Sequence, residues 1–118
     1  MTIKLLILKS GEDVIADIDE MVVNERVVGY YLDCPHRAKL VTEQNKKEGE
    51  EQTYRSRVQL IPWVPLSKDR TIPLVSDWVV SMVEPVDNLK QLFEQRLEKI
   101  NESQNPTDDE QPDPSDSD

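Results

Sequence analysis

Residues 1–21 read MTIKLLILKSGEDVIADIDEM. Ile3, Leu5 and Ile7 alternate with Lys4, Leu6 and Leu8, a strand with apolar groups on both faces. Ser10-Gly11-Glu12-Asp13 supplies turn chemistry, because Gly11 takes a positive φ at little steric cost. Val14, Ala16 and Ile18 then alternate with Ile15, Asp17 and Asp19, the pattern of a half-buried strand. The stretch predicts an antiparallel hairpin and so sets the chain in an all-β class.

Next, MVVNERVVGYYLDCPHRAKLV places two apolar runs around Asn24-Glu25-Arg26, which predicts a second turn. The returning strand is long and is broken or bent near Cys34-Pro35, since proline cannot donate a ladder hydrogen bond. Polar residues about 42–52 predict a mobile loop. TYRSRVQLIPWVPL resumes strand character, SKDRT turns, and IPLVSDWVVSMVEP reads as the last strand region. From Pro85 the apolar period becomes helical. Val86, Leu89, Phe93, Leu97 and Ile100 share one face of a helix expected over about 86–101. The chain thus predicts five or six strands curled into a sheet or small barrel, one C-terminal helix, and a disordered tail over 102–118.

The 118 residues suffice for one small domain, with residues 1–101 as its folded part. The net charge is −10, but seven acidic residues and no basic one lie from Glu102 to Asp118. Residues 1–101 therefore carry only −3, and the overall acidity does not exclude a polyanionic partner. Residues 31–70 hold eight of the fourteen Lys and Arg. No apolar run approaches the ~20 residues of a membrane span. The start is short, mixed and soon charged, without the pattern of a leader. One cysteine forms no intrachain disulfide. The expectation is a soluble, cytoplasmic protein.

LKSGEDVIADI, IPWVPL and DWVVSMVEPVDNLKQL together resemble the Sm-like (Lsm) family, in particular its compact members from cyanophages and related tailed phages. In the first hairpin Leu8, Lys9, Ser10, Gly11, Val14, Ala16 and Ile18 carry the likeness, with Ala16 where glycine is usual. The resemblance covers about residues 2–97 apart from the middle loop. It implies a strongly bent five-stranded barrel that assembles by edge pairing into a ring of five or six subunits. It also implies single-stranded RNA as a partner, within an infected host cell if the chain is phage-encoded. Family members place a helix before the first strand, whereas here the helix follows the strands. Ser76-Asp77 stands where the family has Arg-Gly, and its Asp and Asn loop pair has no counterpart here. The alternative function is therefore a protein-interaction or scaffolding module without RNA binding.

Arg37, Lys39, Arg55 and Arg57 are the RNA-binding candidates, with Tyr31 or Tyr54 as a stacking surface. Arg55 and Arg57 share a strand face, as a backbone-tracking surface requires. The plainer expectation pairs these charges with Glu48, Glu50 or Glu51. Cys34 and His36 supply two soft ligands where a structural zinc site uses four, so no metal or other cofactor is expected. Cys34 and His36 also form a formal nucleophile–base pair, but no orienting residue or oxyanion loop accompanies them. They are expected to be a loop cysteine and a solvated histidine, and the chain a non-enzyme. Trp63 and Trp78 sit among Val, Ile and Leu, as core or subunit-contact residues.

Overall fold

In a computed structural model the chain is described over residues 1–45 and 53–103. Six strands follow in order: β1 (Ile3–Leu8), β2 (Asp13–Val23), β3 (Arg26–Asn45), β4 (Thr53–Pro62), β5 (Thr71–Val75) and β6 (Val79–Val83). One helix, α1 (Asp87–Ser103), comes last. The chain divides into two units, residues 1–86 and the part from Asp87 on. All strand pairs are antiparallel.

The predicted first hairpin is present, with Leu6 opposite Val14 and Leu5 opposite Ile15. Gly11 adopts φ 90° in its turn. The second turn is a two-residue connection between Val23 and Arg26. Asn24 and Glu25 both have positive φ, 54° and 64°, which matches the right-handed twist of the flanking strands.

β3 carries the architecture. One edge of β3 pairs β2 over Arg26–Arg37. Elsewhere β3 pairs β5 over Gly29–Asp33 and β4 over His36–Asn45. At Gly29 a Cβ would stand 2.5 Å from the Leu74 carbonyl oxygen, so only glycine admits β5 this close.

The strand path β5-β3-β2-β1-β6 puts β5 and β6 at opposite ends. In a flat sheet four strand spacings would separate them by about 19 Å. Only the 3-10 turn Ser76–Trp78 connects them, and such a turn advances about 2 Å per residue. The sheet therefore curls. Leu6, Leu8, Val14, Ala16, Ile18 and Leu32 form the core inside the curl, and Leu74 of β5 and Val79 and Met82 of β6 pack against it. Burying each of the larger side chains contributes about 2 kcal/mol. No hydrogen-bonded ladder joins β5 to β6 among the described residues.

Three expectations are corrected. The last strand region is two strands, because Ser76-Asp77 interrupts it and redirects the chain to the opposite sheet edge. Residues 42–45 belong to β3 rather than to a loop, held by cross-strand pairing to residues 53–56. The rest of the expected loop, to residue 52, lies outside the described residues. The helix runs to Ser103, past its expected end at 101, and the expected disordered tail beyond 103 lies outside the described residues. Along α1, Leu89, Phe93 and Leu97 of the expected apolar face are buried at four-residue spacing, whereas Val86 precedes the helix and is exposed.

Candidate functional site

Two groups of side chains gather chemically distinctive residues. The first surrounds the bend in β3. Ile15 pairs with His36 and Asp17 with Asp33, so Ala16 alone faces both Cys34 and Pro35. This is a β-bulge, and its first residue, Cys34, has φ 54°. A left-handed conformation at a residue with a Cβ costs roughly 1–2 kcal/mol. Hydrogen bonds hold it in place. The Cys34 N–H donates to the Arg70 carbonyl at 2.8 Å, and the Trp63 N–H donates to the Pro35 carbonyl at 3.0 Å. Arg70 also grips Asp33 with two bonds, Nε to Oδ1 at 2.9 Å and a terminal nitrogen to Oδ2 at 3.2 Å. The Thr71 hydroxyl donates to the same Asp33 Oδ1 at 3.1 Å.

Cys34 and His36 are both buried, not the loop cysteine and solvated histidine expected. The sequence hides this because the bulge breaks the strand alternation between them. His36 Nδ1 lies 2.8 Å from the Cys34 carbonyl oxygen. A carbonyl only accepts, so Nδ1 carries the proton and is directed at the backbone. Burial first, then the Asp33 carboxylate, pushes the Cys34 thiol above its ordinary range, against the lowering influence of Arg70. This environment keeps the sulfur as a thiol, the opposite of an activated nucleophile. Among the described residues no group of three or more His, Cys, Asp or Glu is placed to hold a metal ion.

The second group lies on the ribbon that β3 and β4 form beyond the bend. β3 pairs with β2 as far as Arg37, so the pairs from Ala38–Leu60 to Asn45–Thr53 form a two-stranded extension. Its register is regular. Arg37 pairs with Ile61, Lys39 with Gln59, Val41 with Arg57, and Glu43 with Arg55. Directly opposed residues share a face, so all four cationic candidates fall on one face. The alternate positions, Ala38, Leu40 and Thr42 with Ser56, Val58 and Leu60, carry no charge.

Two of the four cations have described counterions. Arg57 pairs with Glu43 at 3.3 Å, and Arg37 lies 3.6 Å from Glu12. Glu12 also accepts from the Trp63 indole at 3.3 Å, at the base of the row. Lys39 and Arg55 are exposed and make no ion pair with a described residue. Glu48, Glu50 and Glu51, the counterions expected from sequence, lie outside the described residues. Tyr54 pairs with Gln44 in the β3–β4 ladder. Tyr31 is off the ribbon, between Asp19 on β2 and Pro73 on β5.

Trp63 packs against the core, whereas Trp78 in the connecting turn is 42 % exposed. Val22, Val23, Val27 and Val28 are all exposed around the second turn, and Val75 and Val80 are each 63 % exposed. Among the described residues no helix is long and apolar enough to cross a membrane. No protein-family model and no curated protein matches the chain.

Proposed function

We propose that the chain is a non-enzymatic, Sm-like, ring-forming protein that binds single-stranded RNA. The observation that carries the binding is the gathering of Arg37, Lys39, Arg55 and Arg57 on one face of the β3–β4 ribbon, with the opposite face free of charge. Polyanion binding rests on such a concentration of cations, even in a chain of net negative charge.

The Sm-like reading draws support from the curled path β5-β3-β2-β1-β6 and from the short turn between its end strands. In this reading the sheet is a small bent barrel. Self-association draws support from the outer edges of β5 and β6, which lack ladder partners among the described residues and carry exposed Val75 and Val80. Pairing such edges between copies protects them from uncontrolled aggregation. The non-enzymatic reading draws support from the Cys34 thiol, held protonated, and from the His36 ring, tied to backbone.

A fluorescence-anisotropy titration of labelled single-stranded RNA at about 50 and 200 mM salt tests the binding, since phosphate contacts weaken as salt rises. Saturable binding that weakens with salt is the expected result. Solution mass by light scattering tests the ring, with five or six subunits expected. One observation favours the alternative, a protein-interaction module. The exposed valines on both sides of the second turn make an apolar surface of the kind that seats a protein partner. No RNA binding by the folded protein decides for that reading.

A further inference from the structure

We infer that the cationic row follows the phosphates of one extended polynucleotide strand, one cation to each phosphate, without reading its bases. The inference rests on the RNA-binding proposal and specifies its ligand. Positions on the same face of the ribbon recur every second pair, at steps of about 7 Å. Four successive steps carry Arg37, Lys39, Arg57 and Arg55, one cation each. That rise is comparable to the distance between successive phosphates of an extended strand. The row is thus a linear array of cations rather than a cluster.

The residues between the cations define what is not recognised. Ile61, Gln59 and Val41 share the face, and no aromatic residue joins them on these four steps. Strand-binding surfaces that hold bases stack them on aromatic rings. A duplex fits poorly as well. The phosphates of each of its strands wind around the helix axis rather than running along one line.

Glu43 is the opposing element. It occupies the last step beside Arg55 and holds Arg57 at 3.3 Å. A phosphate arriving at Arg57 must displace that carboxylate. Glu43 therefore weakens the outer end of the row, while Lys39 and Arg55 are available without displacement of a described partner.

The test uses the full chain and a five-nucleotide RNA with four phosphodiesters and no terminal phosphate. The expected slope of log K against log salt is about −3, from four phosphate contacts on a single strand. K39Q and R55Q should each weaken binding about three- to tenfold and flatten the slope by about 0.7. E43Q should tighten binding about threefold. Oligouridine, oligoadenine and the matching DNA should bind alike, and a hairpin duplex more weakly. Absence of any RNA binding overturns both this inference and the proposed function. Binding whose slope ignores K39Q and R55Q overturns the inference alone. A strong base preference, dependence on the 2′-hydroxyl, or equal affinity for the duplex does the same.

Discussion

The carboxylates of Asp17 and Asp33 are directly opposite one another across β2 and β3, and Arg70 holds the second of them through two hydrogen bonds. Like charges in facing strand positions destabilise a sheet. Here each has a separate partner, because Asp17 accepts the Thr2 N–H at 2.9 Å. Arg70→Gln should therefore cost about 1–2 kcal/mol, more than an ordinary exposed ion pair contributes. Asp33→Asn in the same background should recover part of that loss by removing the repulsion. Urea unfolding of the two single variants and the double variant checks this. A cycle with no coupling between the residues would show that Arg70 acts on something other than Asp33.

Cys34 makes stability depend on alkaline pH. Its folded-state pKa lies above the ordinary value of 9.0, through burial and Asp33. The stability linked to this thiol is intact below that ordinary value and declines as pH rises toward and through the folded-state value. Denaturant midpoints measured across that range should fall more steeply for the natural chain than for Cys34→Ala. Alkylation of the folded protein at neutral pH should be slow, and unfolding should accelerate it.

Two positions should reverse the usual penalty for glycine. Glu25 has φ 64° and Cys34 φ 54°, conformations that glycine adopts freely. Glu25→Gly should raise stability by up to about 1 kcal/mol. Cys34→Gly should be at least as stable as Cys34→Ala, although it leaves the larger cavity. Thermal melts of these variants provide the comparison.

Gly29 behaves in the opposite way. Gly29→Ala places a Cβ against the Leu74 carbonyl and should cost about 1–3 kcal/mol by forcing β5 away from β3. Hydrogen exchange should show protection lost first in Ile72 and Leu74. Loss confined to β2 would mean that the strain is relieved elsewhere.

The first hairpin was legible because its alternation is local, and Pro35 marked the bend in β3. The two sides of that bend were harder to read. A bulge adds one residue to one strand, so Cys34 and His36 look like an ordinary alternating pair until register is known. Thr42-Glu43-Gln44-Asn45 looked like loop because a ribbon without a core leaves no apolar period. Arg55 and Arg57 declared their shared face by spacing alone. Joining them to Arg37 and Lys39 required the β3–β4 register. Asp33 and Arg70 are 37 residues apart, and no local signal links them. The close approach of β5 at Gly29 was likewise known only once the β3–β5 register was in hand.

The turn at Ser76–Trp78 also bears on the order of events during synthesis. β1 is made first, yet one of its two neighbours, β6, begins only at Val79. β3 likewise waits for β5 to cover Gly29–Asp33. A ribosome-bound chain lacking residues 71–83 exposes backbone edges on both strands and leaves the core without Leu74, Val79 and Met82. The sheet is thus completed from both ends by one late segment. Its folding is tied to the emergence of that segment, and nascent chains stalled before it are the form most exposed to misassociation.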